Sequence, residues 1–222
     1  MKVLKYIGLV LCAYSCSSLE FNDFWKNPDI DTYSPNKVLV VGMTSNQVAR
    51  EQFENQLKEA YEFRGIEAVT SLELLGTSYT SEMKTEADLK ALEDSLIADG
   101  FDTILLTKVI GVEDKIAYKT NYEGFEPGYT KFKEDYLKYQ DAYYNPDYYE
   151  EYAIFHTETS LYCICPKNPR ELIWKGSIDV TDPESIEETV SEYVQLVIII
   201  LDEEQLTNPG FINTGTGNPV IQ

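Results

Sequence analysis

Among 222 residues the sequence has one histidine, four cysteines, and 18 lysines and arginines against 38 aspartates and glutamates. Each shortage removes a class of function. A histidine-based triad has only His156 to draw on. A formal charge of -20 repels phosphate backbones, so nucleic acid is not an expected partner. Direct adsorption to anionic lipid head groups is disfavoured for the same reason. No uninterrupted apolar run reaches the roughly 20 residues that a membrane-crossing helix needs. No G-x-G-x-x-G or Walker loop is present, nor an EF-hand or an H-E-x-x-H pattern. Acidic pairs are so abundant that none stands out as a glycosidase pair. No catalytic residue, cofactor or metal site is therefore expected.

What is present begins at the amino terminus. In MKVLKYIGLVLCAYSCSS, Lys2 and Lys5 precede an apolar run from Tyr6 to Tyr14. Its length suits the apolar part of an export signal, about 7–15 residues. The run ends with small Ser15 directly before Cys16, whereas Cys12 follows bulky Leu11. A small residue before a cysteine at this place resembles the lipobox of bacterial lipoproteins. That resemblance implies a signal peptide over residues 1–15, cleaved before Cys16. It also implies a diacylglycerol on the Cys16 thiol and an acyl group (palmitate or similar) on its new amino group. One acyl chain holds a protein only marginally at a membrane. Two or more hold it stably, at about 0.8 kcal/mol per buried methylene. Ser17 in place of aspartate resembles the Gram-negative pattern sent on to the outer membrane. The expected location is that membrane, facing the periplasm or the cell surface.

Residues 16–36 show no period and contain Pro28 and Pro35, so they read as a tether. Phe21, Phe24 and Trp25 are apolar enough for part of it to dock on the body. Residues 37–206 read as one α/β domain. Lys37–Gly42 is a buried strand by its continuous apolar run. Thr44-Ser-Asn-Gln47 has a capping-box pattern. Ala49, Phe53, Leu57, Ala60 and Tyr61 then share a helical face that Gly65 closes. A short strand, Ile66–Thr70, follows and is expected to run parallel to the first. Leu74 to Lys84 reads as a loop. Thr85-Glu-Ala-Asp88 opens a second helix that Gly100 ends, and Phe101–Val112 is a third strand. Glu151–Cys165 and Glu171–Thr181 form a long antiparallel pair around a proline-marked turn. Asp182-Pro183 marks the start of a last helix, whose apolar stripe runs from Ile186 to Leu201. The order β-α-β-α-β-β-β-α predicts a mixed sheet of about five strands with helices packed on it. Residues 207–222, rich in Asn, Gly, Thr and Pro, read as a disordered tail.

The stretches KVLVVGMTSNQVAREQFENQLKEAYEFRGIEAV, GFDTILLTKVIGV and TETSLYCICPKNPRELIWKGSIDVTDPESIEE resemble a group of uncharacterised bacterial envelope lipoproteins. More distantly they are similar to the α/β domains of the TolB periplasmic protein and the curli-secretion lipoprotein. The shared motifs are structural, so the resemblance carries over only the lipid-bearing cysteine, onto Cys16.

Three features bear on chemistry. His156 lies mid-strand with Glu158 on its face and Phe155 on the other, the place of a structural or solvent-facing histidine. Cys163 and Cys165, two apart on a strand, sit about 7 Å apart, too far for an undistorted bridge. Buried thiols are the first expectation. Pairing to another molecule and soft-metal binding stand beside it, although two ligands do not close a zinc site. Gly42–Ser45 before a helix is a place where backbone N–H groups meet anions, or simply a capped helix start. The most unusual segment is the insertion at 118–150. Residues 118–152 hold ten of the 17 tyrosines. Tyr129, Tyr136, Tyr139, Tyr143, Tyr144, Tyr148 and Tyr149 are the candidate binding surface, suited to protein contacts or sugar stacking. The expected role is a non-enzymatic envelope assembly or interaction module with an envelope protein as partner. The alternative is a glycan- or peptidoglycan-binding protein. A hydrolase would need a concave pocket with convergent carboxylates or His156.

Overall fold

An apolar run without polar alternation can be satisfied only where both faces of a sheet are covered. Lys37–Met43 (β2) is such a strand, with Val38, Leu39 and Val40 at most 1% exposed. The computed structural model describes residues 18–76, 83–118, 149–165, 168–183, 185–208, 211–212 and 220–221. In it β2 pairs parallel with Glu67–Thr70 (β3) on one side and Thr103–Tyr118 (β4) on the other. Tyr149–Cys165 (β5), Asn168–Thr181 (β6) and Leu19–Lys26 (β1) add in turn as antiparallel neighbours. The result is one open mixed sheet of six strands, ordered β1-β6-β5-β4-β2-β3.

Alternation along β2 divides the core. Val38 and Val40 join Phe53, Leu57 and Tyr61 of helix α1 (Gln47–Phe63) and Val194, Val197 and Leu201 of helix α4 (Ile186–Glu203). Leu39 points the other way, to Leu96 of helix α3 (Glu86–Ala98) and Phe101. Thus α1 and α4 cover one face and α3 the other. A fourth helix, α2 (Ser71–Leu75), follows β3. It is too short to show a period.

Several expectations are corrected. Residues 19–26, assigned to the tether, are an edge strand, which raises the count to six. With a neighbour on one side only, most of its side chains stay exposed, and the register shifts between Phe21 and Asp23. The alternation that would have marked a strand is therefore missing. Helix α1 is capped by Asn46, whose Oδ1 accepts from the Ala49 N–H at 3.1 Å, while Thr44 Oγ1 accepts from Asn46 N–H. Helix α4 is capped by Ser185. Asp182 takes φ 45° and turns the chain beforehand. The Thr85–Asp88 capping box of α3 is as expected. Leu206, at the end of the domain, and Thr207 are buried, and Phe211–Ile212 pairs with Val220–Ile221. The strand expected from Glu151 begins at Tyr149, and β4 runs to Tyr118 opposite it.

Three phenols test the core. Tyr61 is wholly buried, and burial pushes its phenol well above the ordinary value. Burial raises Tyr33 to about 12, opposed by its hydrogen bond to Thr103. It also raises Tyr193. A raised folded-state value favours the folded protein below the unfolded value of about 10, and that stability is lost as pH rises towards 12. These phenols should therefore ionise together with unfolding. Tyrosinate absorbance should show a late step coincident with loss of the far-ultraviolet dichroism signal. A single step near pH 10 with intact dichroism would contradict this packing.

Candidate functional site

Strands β2 and β6 run the same way, so the helices that follow them, α1 and α4, start at the same end of the sheet. There the helices and the sheet leave an open cavity of about 190 Å³. Thr107 and Val109 of β4, Phe155 and Thr157 of β5 and Val180 of β6 form its floor. Ala49 and Phe53 stand on the α1 side, and Ile186, Val190 and Tyr193 on the α4 side. In an open α/β sheet this is where ligands bind, beyond the carboxyl ends of the parallel strands where the strand order reverses.

The floor has spent its polar groups. The Tyr193 hydroxyl bonds the hydroxyls of Thr157 and Thr159, each at 2.9 Å, and Thr157 also bonds the Ile178 carbonyl. Phe53 meets Tyr193 edge-on at 6.0 Å. What faces the groove is almost wholly apolar.

The charges beside it are turned inward. Arg50 is 5% exposed and Glu54 is fully buried. Glu54 Oε1 accepts from Gly42 N–H at 3.0 Å, Arg50 Nε at 2.9 Å and Ser71 Oγ at 2.6 Å, and Oε2 accepts from Leu72 N–H. Gly42 allows this close approach: a Cβ there would lie 3.3 Å from Arg50 Cγ and Phe53 Cδ1. The turn at Gly42–Ser45 gives its first N–H to Glu54, and Asn46 caps the helix that follows. This is a capped helix start.

His156 lies outside the groove. Its neighbour Phe155 faces the groove, and His156 points to the opposite surface. Its Nδ1 is 2.8 Å from Asp179 Oδ1, and its Nε2 is 3.7 Å from Glu113 Oε2. Lys115 first, with a smaller part from His156, holds the Glu113 carboxyl below its usual range.

Cys163 and Cys165 are joined as a disulfide, a correction to the expected buried thiols. The register with β6 shifts between Leu161 and Tyr162 and again between Cys163 and Ile164. Their Cα atoms lie 5.4 Å apart, within bridging range. The expected 7 Å belonged to a regular strand. A bonded pair has no thiolate for a metal. Among the described residues no group of three or more His, Cys, Asp or Glu is placed to hold one.

Cys16, Tyr129, Tyr136, Tyr139, Tyr143, Tyr144 and Tyr148 lie outside the described residues. Tyr149 opens β5 opposite Tyr118. The groove itself was missed in the sequence. Its only trace there is apolar residues at the helix starts, Met43, Val48 and Ile186, all exposed.

No protein-family model matches the chain, and no curated protein matches it. Several solved structures are similar to it in part. The PelC dodecamer from Paraburkholderia phytofirmans is 10% identical, with a TM-score of 0.42 over 86% of this chain and 99% of that one. Lipoprotein GNA1162 from Neisseria meningitidis is 14% identical, with a TM-score of 0.37 over 75% and 96%. A minor lipoprotein from Acinetobacter baumannii is 4% identical, with a TM-score of 0.28 over 74% and 94%. Likeness at these scores establishes neither a common family nor a common activity.

Proposed function

We propose that this chain is a bacterial envelope lipoprotein, tied to the outer membrane through Cys16, whose α/β body is a non-enzymatic assembly or interaction module. The lipid anchor rests on the basic start, the short apolar run and the Ser15-Cys16 junction. The observation that carries the module reading is the character of the groove. Its surface is apolar, while the adjacent carboxylate and guanidinium are buried against each other. Such a surface suits an apolar partner better than a reaction that needs a positioned acid, base or nucleophile. The glycan alternative rests on tyrosines that, Tyr149 aside, lie outside the described residues.

Intact-mass measurement of the membrane fraction tests the anchor. The expected species begins at Cys16 and carries a diacylglycerol and an amide-linked acyl chain, and Cys16→Ser carries neither. Recovery of the native polypeptide with Met1 intact and no added lipid would overturn the reading.

A further inference from the structure

Beyond Met43 opposite Lys108, β2 leaves the sheet. Among the described residues, the outer edge of β4 has no strand on it from Val109 onward. Such an edge is a row of unpaired backbone donors and acceptors, ready to accept another strand. The edge begins at the mouth of the apolar groove. Six of the thirteen exposed large apolar side chains among the described residues gather at this end: Met43, Val48, Val109, Ile110, Val112 and Ile186. A bulge at Ile110 shapes the edge. Val109 pairs with Thr157 and Val112 with Phe155, both groove-lining residues. Directly opposed residues share a face. The extra residue therefore keeps Val109 and Val112 on the groove side, where strict alternation would turn Val112 away. Open backbone and apolar cavity are thus presented together.

We infer that this edge and groove form one docking site for an extended, basic-flanked segment of a partner protein. The segment adds as a strand beside β4, in the lane β2 has vacated, and sets alternate apolar side chains into the groove. Charge selects the flanks. Asp114 follows on β4, and Glu187 and Glu188 occupy the first turn of α4 without a basic residue. The nearby lysines are committed, Lys108 to Glu158 and Lys115 to Glu113. The assignment deepens the interaction-module reading and rests on it.

The test uses the full chain in detergent micelles and a fluorescent synthetic peptide of alternating valine and threonine with a lysine at each end, read by anisotropy. Binding should weaken on the order of tenfold with Val112→Lys, an exposed position that leaves the core untouched. A similar loss should follow Ala49→Phe, which fills the groove. Methylating alternate peptide nitrogens or exchanging the lysines for glutamates should weaken binding likewise. Equal binding of the methylated peptide would overturn strand addition. Unaltered binding to Val112→Lys would overturn the site. Concentration-dependent self-association that Val112→Lys abolishes and the peptide does not compete would assign the edge to a second copy instead. Because the anchor is scored by mass, failure here with Cys16 acylated removes this inference and leaves the lipoprotein reading standing.

Discussion

Glu54→Ala is expected to destabilise the protein by about 3–5 kcal/mol, the range for breaking a buried ion pair from one side. The carboxylate has no exposed surface and accepts from Gly42, Arg50, Ser71 and Leu72. Alanine removes the i,i+4 counter-charge from a guanidinium that is itself 5% exposed. It also leaves two backbone N–H groups without their acceptor in a dry place, each a further penalty. Replacing both ions, Arg50→Met with Glu54→Leu, should recover much of the loss. An apolar pair of similar volume avoids the desolvation that offsets the pair's attraction. Urea unfolding measures both, read as a shifted midpoint at unchanged slope. A loss below about 1 kcal/mol for Glu54→Ala, the level of an exposed pair, would put the carboxylate in water and refute its burial. The same bonds hold the end of β2 to the start of α1, so the groove wall should loosen as well.

Gly176→Ala is expected to cost at least the roughly 1–3 kcal/mol typical of overpacking. A Cβ at this position would lie 2.5 and 2.7 Å from two carbons of the Trp174 indole and 3.2 Å from Phe21. Trp174 is fully buried, and Phe24 stacks beside it at 6.5 Å, so the ring has nowhere to retreat. Trp174→Phe should relieve the clash. Its indole N–H has no hydrogen-bond partner, so removing it breaks none. The cycle of the two single variants and the double variant should therefore show a favourable coupling, as contacting residues do. Strict additivity would mean that the ring does not cover the glycine.

The parts of the fold that were legible are those in which a local period and the tertiary environment agree. Lys37–Met43 is apolar throughout because it is covered on both faces. The Phe53–Leu57–Tyr61 and Val190–Leu201 stripes repeat at helical spacing because each helix has one buried side. Where a residue's environment is set by a distant segment, the reading failed. Leu19–Lys26 is a strand only because β6 offers it an edge. Asn46 and Ser185 cap the helices in place of Thr44 and Asp182, which instead accept from the Asn46 N–H and turn the chain at φ 45°, respectively. The disulfide needed Cα atoms closer than a regular strand puts them, and neither Cys163 nor Cys165 announces it.

The sequence by itself determined the α/β class, the order of the main elements, the acidic surface and the amino-terminal signature ending at Cys16. These depend on residue type and on spacings within a few turns of chain. Only the tertiary structure decided the sixth strand, the inward burial of Arg50 against Glu54, the Cys163–Cys165 bond and the groove beside the open edge of β4. Each is made by groups brought together from separate elements or by strand register, and register is a property of pairing that no single stretch of sequence contains.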